Sequence, residues 1–181
     1  MPAAVDLSYP IGQYDLKQGV SPEERPGLIT IVEGAPARFR EAVSGLDDAQ
    51  LDTPYRPGGW TLRQTVHHVA ESHMQAFSRF RWALTEDNPA VKAYDEAKWA
   101  ELHDSKTLPV EVSLTLLEAL HMRWVDLLRS MTDAEYGRTM QHSQLGPLRL
   151  DRVLGLYAWH TRHHAAHITG LRERMGWNGQ G

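Results

Sequence analysis

The stretch Val153-Leu154-Gly155-Leu156-Tyr157-Ala158-Trp159-His160-Thr161-Arg162-His163-His164-Ala165-Ala166-His167-Ile168 decides the fold. Val153, Tyr157, His160, His164, His167, Leu171 and Met175 recur at steps of 4, 3, 4, 3, 4 and 4. That period describes one stripe of an α-helix, facing a core. Four of the chain's ten histidines fall within this segment, at 160, 163, 164 and 167. His160 and His164, like His163 and His167, are i,i+4 neighbours, with Cβ atoms about 5–6 Å apart. Two imidazoles so placed can grip one metal ion, as on H-E-x-x-H helices.

Three further helical patterns precede it. The first runs through Leu28, Ile29, Val32, Phe39, Val43 and Leu46, and Pro36 should kink or break it. Leu28-Ile29-Thr30-Ile31-Val32 is rich in β-branched residues, but its apolar positions continue at helical spacing, and no strand is expected anywhere. The second starts at a capping box, Thr61 with Gln64. It continues through Leu62, Val66, Val69, His73, Phe77, Phe80 and Leu84 and stops before Asn88-Pro89. The third runs from about Val112 to Met131, with Leu114, Leu117, Leu120, Trp124 and Leu128 on one face. The fourth runs from about Leu150 to Met175, about 37 Å long, with Gly176 as its stop. Arg149 caps its start poorly. These patterns predict an all-α four-helix bundle with a long crossover, Glu86 to Pro109, between helices two and three. Such a connection suits an up-up-down-down bundle, and connections of this length are also often functional.

The 181 residues suit one domain, and the net charge of −4 gives no basic footprint for nucleic acid. There is no cysteine, so disulfides, thiolate zinc sites and a cysteine nucleophile are excluded. No run is apolar enough to span a membrane, and Met1 to Asp6 do not resemble a signal peptide; a cytoplasmic protein is expected.

Burying several imidazoles without partners would cost roughly a few kcal/mol, and a metal removes that cost. His67, His68 and His73 on helix two could supply a third ligand. His67 and His68 lie on opposite sides of the Val66–Val69 mid-line, so only one should belong to the site, and periodicity does not choose between them. His163 is rotated off the stripe, and His167 could fix a ligand's tautomer. His103, His121 and His142 read as surface or ordinary core residues. Three histidines without a carboxylate leave a coordination position open, the pattern of a catalytic rather than a structural ion. Such an ion can acidify water or bind a substrate thiol as thiolate.

Several segments together carry a family resemblance. They are Leu7-Ser8-Tyr9-Pro10-Ile11-Gly12, Gln50-Leu51-Asp52-Thr53-Pro54-Tyr55-Arg56, Gly58-Gly59-Trp60-Thr61, Val66-His67-His68, Asp104-Ser105-Lys106-Thr107, Leu154-Gly155-Leu156-Tyr157 and Arg174-Met175-Gly176-Trp177. On these the chain resembles the DinB-like superfamily, closely its YfiT branch of metal-dependent hydrolases and bacillithiol S-transferases. The resemblance implies one domain over residues 1–181, with residues 1–20 as an N-terminal arm, and a bundle carrying a metal at one end. It also implies a homodimer. Its motif puts one ligand at a His followed by an aliphatic residue, matching His68 before Val69; the others match His160 and His164. Zinc or nickel is the implied ion, with manganese less expected for an all-imidazole site. Arg149 stands where the branch has a capping threonine, and Arg162 where it has another histidine; neither touches the three ligands.

The expected function is a metal-dependent transfer of a low-molecular-weight thiol, of bacillithiol type, to a small electrophile. The alternatives are hydrolysis of an amide or ester and a non-catalytic, metal-stabilised stress-response module. Tyr9, Arg56, Tyr94, Asp95, Trp99 and Tyr157 are candidates for orienting substrate, and Glu71 is a carboxylate near His68 in sequence.

Overall fold

The computed structural model describes residues 6–177; Met1 to Val5, on which the leader reading largely rests, fall outside them. The four long segments are helical: α1 (Arg25–Glu33) with α2 (Ala35–Val43), then α4 (Leu62–Thr85), α7 (Val110–Ser130) and α9 (Leu150–Met175). Single turns α3 (Asp48–Leu51) and α8 (Asp133–Tyr136) fill connections, and α5 (Glu96–Ala100) and α6 (His103–Thr107) lie in the crossover. The first helix breaks at Gly34, as Pro36 requires. In a continuous helix the amide of residue 36 would bond the Val32 carbonyl, and proline has no such amide. The Thr61–Gln64 capping box starts α4. Gly176, with φ of 70°, ends α9 in the left-handed conformation. Arg149 gives α9 no side-chain cap, but Asp151 stands in: its Oδ1 accepts the Arg152 amide at 2.7 Å.

Strands do occur, contrary to expectation. β1 (Ala90–Val91), β2 (Thr139–His142) and β3 (Gly146–Arg149) form a small sheet, β1 parallel to β2 and β2 antiparallel to β3. Segments of two to four residues are too short to display an alternating pattern.

Side-chain pairs give the helix directions. His67 meets Ser113 and His73 meets His121, so α4 and α7 run parallel. His68 meets His164 and Ser72 meets Tyr157, so α4 and α9 run antiparallel. Arg129 pairs with Glu33 and Arg40 with Glu118, so α1 and α2 oppose α7. The order is therefore up-down-down-up, not up-up-down-down. Two parallel neighbours, α4 and α7, still require a long return, and the crossover supplies it.

Two apolar clusters fill the bundle. One gathers Phe80, Trp124, Leu128, Leu154 and Tyr157; the other gathers Phe39, Leu62, Val66, Leu117, Ile168 and Leu171. His73 on α4 and His160, His163 and His164 on α9 fall between the two sets, while His67, His68, His121 and His167 lie at their margins. The N-terminal arm lies along α9: Trp159 Nε1 donates to the Gly12 carbonyl at 3.1 Å, and Tyr14 packs on Gly155.

A Cβ at Gly155 would sit 2.2 Å from the Tyr14 hydroxyl and 3.0 Å from Val20 Cγ2. Gly155→Ala, normally favourable inside a helix, is therefore expected to lower stability by about 1 kcal/mol or more through overpacking. In a Tyr14→Ala, Gly155→Ala double variant, thermal melts should show most of that loss recovered; an equal loss in both backgrounds refutes the arm contact.

Candidate metal centre

Antiparallel α4 and α9 bring His68 opposite the His160–His164 pair. One ring nitrogen from each of the three lies within 4.8 Å of the others. Their ring centroids are 5.4 Å (His68–His160), 4.9 Å (His68–His164) and 4.4 Å (His160–His164) apart. His67 is turned away: its Nδ1 lies 2.7 Å from Ser113 Oγ and its Nε2 3.1 Å from the Leu108 carbonyl. Partners on other segments, which periodicity could not show, therefore engage both nitrogens of His67.

All three clustered imidazoles are held neutral. Burial, helped by neighbouring histidines, pushes His68 down to about 3 and His160 and His164 well below the ordinary value. Among the described residues, the buried Nδ1 atoms of His68 and His164 have no hydrogen-bond partner. Neutral rings converging with free nitrogens match the donor set that a borderline divalent cation prefers.

The remaining histidines have distinct settings. His73 is fully buried, with Nδ1 2.8 Å from His121 Nε2 and Nε2 3.3 Å from His160 Nδ1, so both its nitrogens are engaged. His121 is a core residue, as expected, but its other nitrogen reaches the Val32 carbonyl at 2.7 Å. His163 stacks on Trp159 at 4.3 Å, and His167 stacks on Tyr55 at 3.9 Å. These two form a second close group with His164. His103 is exposed against Thr107, and His142 accepts the Gln144 and Leu145 amides in the β2–β3 turn.

A cavity of about 590 Å³ opens over the triad. Ser8 and Tyr9 of the arm line one side, and Tyr55, Arg56 and Trp60 of the loop before α4 line another. Tyr94 and Glu96 come from the crossover, and His142 and Leu145 from the β-turn. Of the proposed orienting residues, Tyr9, Arg56, Tyr94 and Tyr157 line this space. Asp95 does not: it caps α5 by accepting the Lys98 amide. Trp99 instead packs on Tyr94 at 4.6 Å. Glu71 faces Ser105 at 3.4 Å, outside the cavity lining. Trp60, 4.6 Å from the His68 ring, was not foreseen; its signal was its place just before the α4 cap.

Fold and pocket define a class, the helical bundles whose facing helices turn side chains toward a common site. The family is more specific: residues 31–168 match the DinB superfamily, and the chain belongs to it. The YfiT protein of Bacillus subtilis, provisionally named a metal-dependent hydrolase, is 49% identical over 176 residues, spanning 97% of this chain and 99% of that one. A Bacillus cereus protein with the same provisional assignment is 53% identical over 172 residues, spanning 95% and 99%. The solved structure of Bacillus subtilis YfiT, noted for an unusual four-helix bundle topology, matches with a TM-score of 0.92 at 50% identity over 95% of this chain and 99% of that one. A mycothiol-dependent maleylpyruvate isomerase shares the fold at 20% identity, with a TM-score of 0.65 over 86% of this chain and 63% of that one.

The neutral buried rings make stability depend on pH. In the unfolded chain histidine takes a proton near 6.5, whereas burial holds His68 at about 3 and His121 at about 4. The unfolded state therefore binds more protons below about pH 6.5, and stability falls as pH drops from there toward about 4. His68 and His121 should each contribute up to about 1.4 kcal/mol per pH unit in that window. Denaturant titrations of metal-free protein at pH 7 and pH 5 check this; equal stability at both refutes it.

Proposed function

We propose that His68, His160 and His164 hold one divalent ion, zinc or nickel, and that the protein is a metal-dependent enzyme acting on a small molecule. The observation that carries this reading is three neutral imidazoles, without a carboxylate among them, facing a cavity of about 590 Å³. When bound, the ion would supply Lewis acidity that lowers the pKa of a thiol or water. The chain's own residues shape what reaches it. Trp60 and Tyr55 are aromatic walls that limit water, and Arg56 and Arg79 place positive charge around the cavity. The Tyr157 hydroxyl donates to the Ser72 carbonyl at 3.1 Å, which leaves its oxygen able to accept from Ser72 Oγ at 3.3 Å. Burial pushes the Tyr157 phenol up, so it stays protonated.

The favoured reaction is conjugation of a low-molecular-weight thiol, of bacillithiol type, to an electrophile. The family resemblance supports it, and the absence of cysteine in the chain leaves the reactive sulfur to the small thiol. On this reading the enzyme works as a homodimer in the cytoplasm, where small thiols are kept reduced. Hydrolysis of an amide or ester is the second reading, favoured by the assignments of the relatives at 49% and 53% identity.

Metal analysis should find about one ion per chain in the wild type and background occupancy in His164→Ala. Unchanged occupancy in the variant sinks the site. Electrophile consumption by the loaded protein should require added thiol; turnover without thiol, on an ester or amide, rejects the transferase in favour of hydrolysis.

A further inference from the structure

We propose that His121 and His73 are positioning residues that fix the tautomer of His160, so that its Nε2 lone pair is held ready for the cation. This rests on the metal-site reading but concerns residues outside the cluster, and it begins at a backbone atom. Pro36 offers no amide to the Val32 carbonyl, and that carbonyl lies 2.7 Å from His121 Nδ1. A carbonyl can only accept, so His121 Nδ1 carries the proton and donates. His121 Nε2 then bears the lone pair, and His73 Nδ1, 2.8 Å away, must donate to it. His73 Nε2 in turn bears a lone pair, and His160 Nδ1, 3.3 Å away, donates to it. His160 Nε2 is left unprotonated; Ser72 Oγ lies 3.5 Å from it, but its one proton goes to the Tyr157 oxygen at 3.3 Å, so the Nε2 lone pair stays free.

The opposite assignment fails at its origin. If His160 carried its proton on Nε2, each ring would reverse, and the His121 Nδ1 lone pair would face the Val32 carbonyl oxygen at 2.7 Å. One carbonyl therefore sets three rings. The series holds only if each ring carries a single proton. His121, where the series starts, is lowered to about 4 by burial, and His73 behind it is fully buried. Trp124 and Tyr157 close edge-on around His73, with centroids at 5.8 Å and 5.3 Å, and Trp124 is fully buried. A metal-bound histidine typically gives its other ring N–H to a partner that fixes its orientation and raises its basicity. Here that partner would be another histidine, backed by a third.

Long-range ¹⁵N–¹H NMR on histidine-labelled protein reads the tautomers directly, with and without zinc. The expected result is Nδ1–H at His121, His73 and His160 in both states; Nε2–H at His160 overturns the proposal. In His121→Phe, which keeps the volume but removes the donor, His160 should show mixed tautomers in the zinc-free protein. Zinc affinity measured by competition with a chelator should fall about 10- to 100-fold. Unchanged tautomers and affinity in that variant also overturn it. The zinc-free wild-type spectrum decides the tautomer order even if His121→Phe does not fold. Failure of the wild type to bind zinc, with the Nδ1–H series present, removes the metal reading while upholding the ring order.

Discussion

A neutral imidazole has two nitrogens and one proton, so a buried ring needs one acceptor, one donor, and a fixed choice between them. That constraint organises the middle of this bundle. Leaving one such group unpaired in an apolar interior costs about 1–3 kcal/mol, and this layer contains several rings. The apolar clusters on either side hold α4, α7 and α9 in register, which brings His73 to His121 and His68 to His160 and His164. The break between α1 and α2 belongs to the same system. A proline that interrupts a helix would usually leave a carbonyl for water, whereas here the carbonyl is aimed into the core, where His121 meets it. His67, His73 and His121, each engaged by protein on both nitrogens, stand outside the cation groups among the described residues.

The sequence carried much of this and lacked identifiable parts. The α9 stripe showed both that the segment is helical and that His160 and His164 face inward, because burial and period are one pattern there. The Thr61–Gln64 box placed the start of α4 because capping is local chemistry. Choosing His68 over His67 required knowing that Ser113 and Leu108 lie beside one of them, which no local pattern contains. The family resemblance made the same choice by motif. His121 looked ordinary because its partners, Val32 and His73, are 89 and 48 residues away. Asp95 and Trp99 looked like pocket residues and are instead a helix cap and a packing surface, roles that composition does not distinguish from substrate contact.

Two explanations for the long crossover, chain topology and function, turn out to share the same residues. Because α4 and α7 are parallel neighbours, the chain must return along the full bundle between them. On the way, β1 joins the β2–β3 hairpin, and Gln64 Nε2 ties the Ala100 carbonyl to the start of α4 at 2.7 Å. Those anchors hold Tyr94 and Glu96 at the cavity. An up-down-up-down bundle with short turns would have no such wall, so the parallel pair α4 and α7 brings this side of the pocket with it.

The second histidine group raises the question of a second ion, and electrostatics answers it on the proposed reading. His164 belongs to both groups, so two cations would have to share one ring. Two dications held that close repel strongly wherever water does not screen them. None of the histidines in the two groups carries negative charge to offset it. His163 and His167 have another evident task. Tyr9 lies 5.9 Å from the His163 ring, and His167 Nε2 donates to the Ser8 carbonyl at 3.4 Å. That donation leaves His167 Nδ1 as the lone-pair nitrogen, by the same one-proton rule that orders the relay. The pair therefore seats the N-terminal arm over the pocket, so one run of histidines on α9 serves the triad on one side and the cavity's outer wall on the other.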